Sequence, residues 1–238
     1  MSNSRISLLV SLSAAIVATA LAGFVSPAIA GCTDSPQKGV DWANCRKHNL
    51  ILNGTTLTDA DLRGTNLASS ELSDTRLDGA NLTKANLLRA LLDGSSLRGA
   101  NLEKVAGFRT RFHNTDLTNA NFEKSEMPRA DFSGSTLHDV NFTKAELGRV
   151  TFSGASLADV NFDFAILARA DFRGAGLSGH INFTSAYLFL TRFEGQDLSG
   201  TTGLTQAQIN MSCGNSETVL PEGLTHPENW PCNDDTVN

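Results

Sequence analysis

Nine cations recur along this chain at intervals of twenty residues. Lys84, Lys104, Lys124 and Lys144 form one series, and Arg89, Arg109, Arg129, Arg149 and Arg169 form a second, displaced from the first by five. If the chain coils once per twenty residues, each series becomes a column, and the two columns stand on adjacent corners. Such a stripe could meet an anionic polymer or the acidic surface of a protein partner. Its alternative is an ordinary solvated face. Glu103, Glu123, Glu126 and Glu146 stand beside the columns, and exposed ion pairs contribute only ~0–1 kcal/mol each. The whole chain carries a formal charge of −6. A net-acidic protein is a poor match for nucleic acid, so no nucleic-acid partner is expected.

Other chemistry finds little support. The five histidines, at 48, 113, 138, 180 and 226, are scattered, and no Cys-x-x-Cys is present, so neither a zinc nor a redox site is expected. No nucleophile elbow, phosphate loop or convergent carboxylate pair occurs. The reading is of a protein that is not an enzyme and needs no cofactor. An Asn column (Asn81, Asn101, Asn121, Asn141, Asn161 and, after a one-residue shift, Asn182) reads as an amide ladder rather than a ligand set.

The elements that must position these columns follow from a shorter period. From Leu52 onward a large apolar residue recurs every five positions, with Ala, Thr, Ser or Val usually two residues earlier. Allowing a one-residue insertion at Gly179-His180-Ile181, all but one of thirty such centres through Leu198 are large and apolar, which composition cannot produce by chance. A period of five suits neither a helix nor a long strand. It suits a short extended side followed by a turn, with four sides per twenty-residue coil. Thirty sides make about seven and a half coils, a rod roughly 36 Å long at strand spacing. Phe occupies the centres of two opposite walls from Phe112 and Phe122 onward, and Leu fills the other two. Two residues after the centre, two corners carry Gly, Asp or Asn, which suit turns that need a positive φ. The other two carry the cations.

Units such as Ala60-Asp61-Leu62-Arg63-Gly64, Ala80-Asn81-Leu82-Thr83-Lys84 and Ala100-Asn101-Leu102-Glu103-Lys104 resemble the pentapeptide-repeat family. The resemblance covers residues 50–200 and implies an all-β fold, a right-handed quadrilateral β-helix. Its functional implications diverge. The family includes DNA mimics that shield type II topoisomerases, lumenal and periplasmic proteins of unknown role, and scaffolds. A DNA mimic needs a cytoplasmic location and acidic columns, and this chain has the opposite of both.

The ends carry the remaining information. Residues 1–30 read as a targeting segment: Arg5, an apolar run over residues 8–25, and the small-x-small site Ala28-Ile29-Ala30. Its removal leaves a formal charge of −7, since Arg5 is the one charge it holds, and no membrane span in the mature chain. Ile29-Ala30-Gly31-Cys32 also resembles a lipoprotein cleavage box, which would lipidate Cys32 and leave Cys45 unpaired. The even cysteine count of an exported chain favours two local disulfides, Cys32–Cys45 and Cys213–Cys232. Residues 31–49 are expected to form an irregular N-terminal cap with Trp42 over the first coil. Residues 201–238 are expected to form a C-terminal cap, a short helix from Thr205 and an irregular strap. The protein is expected to be a monomer, exported to a bacterial periplasm, with the extracellular space, a thylakoid lumen or a lipid-anchored envelope position as alternatives. One centre is blank. At Gly107 the expectation is a local bulge that turns Phe108 inward to fill the hole. Otherwise Phe108 stays outside as an apolar contact point.

Overall fold

The computed structural model describes residues 31–232, so the expected targeting segment lies outside the described residues. The chain winds as a four-sided β-helix. The centres point inside: Leu82, Leu102, Phe122 and Phe142 all have 0% exposure, whereas Leu177, next to the insertion, is partly buried. Around each centre the backbone bonds in three directions. Leu82 N–H donates to the Asn101 carbonyl on the next coil (2.7 Å), and Asn81 N–H donates to the Ala60 carbonyl on the preceding one (2.9 Å). Ala85 N–H donates to the Leu82 carbonyl (2.8 Å), which closes the corner. The backbone groups of the walls are thus consumed between coils, as a buried backbone requires.

Parallel bridges repeat at twenty residues, as in Asn81↔Asn101 and Asn101↔Asn121. Three-residue strands appear on one wall: β1 (Thr136–His138), β2 (Ser156–Ala158) and β3 (Gly176–Ser178), paired in parallel in the order β1-β2-β3. Directly after β3 the inserted residue shifts the register, and the bridges become Asn161↔Asn182 and Ile166↔Tyr187. The Asp159 carboxylate receives the His180 N–H at 2.9 Å and holds the extra residue at the corner.

The interior divides as the centres imply. Phe112, Phe132, Phe152, Phe172 and Phe193 stack along one wall with centroids 4.8–5.4 Å apart. Phe122, Phe142, Phe162 and Phe183 stack along the opposite wall. Between the walls the rings meet edge to face at 5.7–6.3 Å, the geometry their quadrupoles favour. Buried hydroxyls two residues before a centre donate to carbonyls on the preceding coil, as Thr110 does to Leu87 (2.7 Å) and Thr115 to Leu92 (2.8 Å). The Asn ladder is present, with Asn121 to Asn101 at 3.2 Å, Asn141 to Asn121 at 3.0 Å and Asn182 to Asn161 at 3.0 Å. Between Asn141 and Asn161 it breaks, where Asn161 donates to the Thr143 hydroxyl instead (3.1 Å).

Both ends differ from the sequence expectation. The coil starts before Leu50, with bridges Asp41↔Asp61 and Arg46↔Asn66. Trp42 is not laid over the first coil; it is a wall centre itself, with 0% exposure, directly above Leu62. Val40-Asp41-Trp42-Ala43-Asn44 is a repeat unit whose Leu has been replaced by Trp, and the next centre is Lys47, whose ammonium sits 3.9 Å from the Trp42 ring centroid. These two substitutions concealed the period. At the other end the walls continue past residue 200, through Arg192↔Cys213 and Asp197↔Val219.

Helix α1 (Gln206–Met211) begins with a capping box between Thr205 and Gln208. It covers the last coil: Ile209 is buried, and the Gln208 amide donates to the Phe183 and Ala186 carbonyls, both at 2.9 Å. Cys32 is bonded to Cys45 and Cys213 to Cys232, each with Cα atoms 5.4 Å apart.

Candidate interaction surface

Each corner turns at the two residues after a centre, and the second of these has a positive φ on all four corners. Gly79 (+66°), Gly94 (+66°) and Asn119 (+61°) fit that demand. Lys84, Lys104, Lys124 and Lys144 lie between +56° and +59°, and Arg89, Arg109, Arg129, Arg149 and Arg169 between +56° and +60°. The positive φ was expected at the Gly/Asx corners; the cationic corners share it. For a residue with a Cβ this region costs roughly 1–2 kcal/mol. A positive φ with the closing bond from centre to centre-plus-three is the type II arrangement, for which Gly or Asn is the usual choice. The turn itself therefore does not explain nine long cations.

The structure brings the cations together in the two expected columns and then separates them by their neighbours. On the Lys corner, Glu103 and Glu123 precede the cation. Lys104 bonds Glu103 at 2.7 Å, and Lys124 bonds Glu123 at 2.6 Å. The Lys104 hydrogen bond and charge, with the fields of Lys124 and Lys84, hold the Glu103 carboxyl below the usual carboxylate range. The Glu123 hydrogen bond raises Lys124. Half of this column is neutralised. On the Arg corner, Arg89, Arg109, Arg129 and Arg149 are exposed and form no ion pair among the described residues, although Glu126 and Glu146 stand on the same wall. Elsewhere Arg98 bonds Asp116 at 2.7 Å and Arg173 bonds Asp171 at 2.6 Å, and Arg63 and Arg111 bond Asp61 and Asp93.

Gly107 departs from the expected bulge. Its wall is regular: Ala106 bridges Glu126, and Gly107 N–H donates to the Glu126 carbonyl at 2.7 Å. The hole is filled from one coil on, because Met127 Sδ occupies the place where a Gly107 Cβ would be. A long thioether chain reaches sideways into such gaps, so Phe108 has no cavity to enter. It stays on the outside, half-buried, with the Arg109 guanidinium 5.1 Å from its ring centroid.

Phe108 is one of a row. The residues just after the centres on this wall are Ala68, Leu88, Phe108, Pro128, Gly148, Ala168 and Phe189. The corresponding positions on the other three walls are mostly polar or charged. Ile166 (43% exposed), Tyr187 (47%) and Phe189 (42%) extend the apolar surface toward the C-terminal end, where Phe164 (54%) replaces Lys in its column. This row was legible in the sequence, since the position after the centre repeats at twenty like every other, but classing walls by centre and corner alone passes over it. A recess of about 300 Å³ opens over Ala106, between Leu88, Phe108 and Pro128. Among the described residues no group of His, Cys, Asp or Glu is placed to hold a metal ion.

Comparison with known proteins agrees with the geometry. A profile described as pentapeptide repeats (8 copies) matches residues 39–76, 52–83 and 70–105, and one described as a pentapeptide repeat region matches residues 108–183. The chain belongs to the pentapeptide-repeat family. The family match begins at residue 39, in keeping with the bridge at Asp41. Among solved structures, the chain is similar to HetL, a pentapeptide repeat protein involved in heterocyst differentiation regulation from the cyanobacterium Nostoc sp. That match has 25% identity over 77% of this chain and 90% of that one, with a TM-score of 0.43. QnrB1, a plasmid-mediated fluoroquinolone resistance protein, matches at 15% identity over 79% and 91%, with a TM-score of 0.45. A pentapeptide repeat protein from the Arabidopsis thaliana thylakoid lumen matches at 24% identity over 51% and 67%, with a TM-score of 0.23. No curated protein matches the chain.

Proposed function

We propose that this pentapeptide-repeat protein is an exported, non-catalytic scaffold that binds an anionic partner through its Arg corner. The observation that carries the reading is the column Arg89, Arg109, Arg129 and Arg149, exposed and without an ion pair among the described residues, on a strained corner that Gly or Asn would form more cheaply. Four cations one coil apart, about 4.8 Å, make a strongly positive edge on an otherwise acidic rod. The Lys corner is an auxiliary, because Lys104 and Lys124 already have partners. The interior is filled by Leu and Phe, which leaves the outer walls for function.

Export is supported by the targeting segment in the sequence and by two disulfides, bonds that persist in oxidising compartments. With Cys32 in a disulfide, its sulfur is not available to a lipid, so cleavage after Ala30 is the favoured processing. Mass spectrometry of the mature N-terminus checks this: a free Gly31 is expected, and a diacylated Cys32 overturns it. A DNA-mimic role fits poorly, because these corners carry the charge of a DNA-binding surface and not that of DNA.

The binding test is titration of the full chain with polyglutamate across a salt series, beside Arg109→Glu/Arg129→Glu/Arg149→Glu. Wild-type binding that weakens with salt and is lost in the variant is expected. Equal binding by both proteins, or by neither, overturns the stripe.

A further inference from the structure

We propose that the wall bearing the Arg column is a docking groove for an acidic amphipathic α-helix of a partner protein. The inference rests on the stripe reading above and specifies its partner. A bare polyanion needs only the cations. This wall offers more: an apolar row through Leu88, Phe108, Pro128, Gly148, Ala168 and Phe189, with Arg89, Arg109, Arg129 and Arg149 along one edge and a second column, Asn86, Ala106, Glu126, Glu146, Ile166 and Tyr187, between the row and the lysines. The recess over Ala106 would seat one apolar side chain between Leu88, Pro128 and the Phe108 ring that Arg109 covers, with Glu126 and Glu146 on its other side. Toward the C-terminal end, Phe164, Ile166 and the stacked pair Tyr187–Phe189 (6.2 Å between centroids) widen the apolar contact.

The shape of the occupant follows from the backbone. On this wall Asn86 N–H donates to the Thr65 carbonyl, Leu87 N–H to Ala106 (2.7 Å) and Arg89 N–H to Phe108 (3.0 Å). With these groups consumed, no strand can be added to the wall, and a partner must be held by side chains. A helix laid along a groove is a recognition mode that needs side chains alone. Leu88 and Phe189 are five coils apart, about 24 Å, which a helix of about 16 residues spans. A helical turn rises about 5.4 Å, close enough to the coil spacing for successive apolar side chains to follow the row. The helix must carry Asp or Glu on the side of its apolar stripe that meets the arginines, and no acid on the side that meets Glu126 and Glu146. A second copy of this chain does not fit. Laid wall to wall about either two-fold axis, it sets the Arg column against Lys or Arg.

The test uses the full chain and three probes: an 18-residue helical peptide with a Leu stripe edged on one side by Glu, the same peptide with Gln for Leu, and polyglutamate. The Leu/Glu peptide is expected to bind at least about tenfold tighter than the other two. Phe108→Ser/Phe189→Ser should remove that advantage and leave polyglutamate binding unchanged. Arg109→Asn/Arg129→Asn should weaken all three, with a melting temperature no lower than wild type, since Asn accepts the corner's φ. If the Leu/Glu peptide binds no better than its Gln counterpart, or Phe108→Ser/Phe189→Ser changes nothing, the groove is overturned while the stripe stands. If the Arg variants change no probe, the stripe falls with it.

Discussion

The Lys corner and the Arg corner are built from the same turn, with φ near +57° at both, and repeat at the same twenty residues. They differ in the residue just before the cation. On one it is Glu103 or Glu123, and the ammonium is bonded within a residue of itself. On the other it is Leu88, Phe108, Pro128 or Gly148, and the guanidinium is left to solvent or an aromatic face. A column of charge is therefore not one kind of surface. Whether it is available to a partner is decided by its immediate neighbour, and that neighbour changes from coil to coil: Thr83 and Thr143 leave Lys84 and Lys144 without the bond that Glu103 and Glu123 give Lys104 and Lys124.

The largest effect asks whether the two corners stand on one scaffold. Phe142 lies in the ring stack beneath the Lys corner, with stacked partners at 4.9 and 5.3 Å. Phe142→Ala should lower stability by about 3–5 kcal/mol, read from denaturant unfolding. A single transition is expected, because coil-to-coil bonds tie the walls together. Two transitions would separate the corners.

Next is charge reversal. Arg109→Glu/Arg129→Glu/Arg149→Glu should cut polyglutamate affinity at least about tenfold, or 1.4 kcal/mol. Lys104→Glu/Lys124→Glu should cut it less, since those two cations are already paired. Equal losses would erase the distinction between the corners.

A smaller effect, with opposite sign, concerns strain. Arg129→Asn should raise stability by up to about 1 kcal/mol by relieving the positive φ. Gly79→Arg, on a Gly/Asx corner where a Cβ would come 2.7 Å from Asp59 Oδ1, should lower it. Thermal melts of the two variants give the signs.

The smallest effect is on pH. Glu103 is held below the usual carboxylate range in the folded protein by Lys104. Its contribution to stability is thus present above the ordinary Glu pKa and is lost as pH falls through the depressed one. Over that same acid window Lys104 is released, and the Lys corner should come to resemble the Arg corner. Glu103→Gln/Glu123→Gln should produce this gain in anion binding at neutral pH, measured by the same titration.

Much of this was legible in the residues. Leu82, Leu102 and Phe122 are centres because a large apolar side chain every fifth residue has one inward position to occupy. The capping box at Thr205 and Gln208 is a local pattern and announces the helix by itself. Trp42 and Lys47 concealed the first coil, because a motif written in Leu does not reveal that a buried Trp can fill the same place. Contacts across coils were beyond any local pattern. That Met127 fills the space at Gly107 depends on a side chain twenty residues away crossing one coil.

The sequence by itself determined the period, the walls and the columns, since each needs only the repeat of a residue type at a fixed interval. Which cations are paired, which way Phe108 faces and where the walls end were decided by the tertiary structure. Those outcomes depend on distances between side chains on neighbouring sides and coils, and such distances exist only once the coils have stacked.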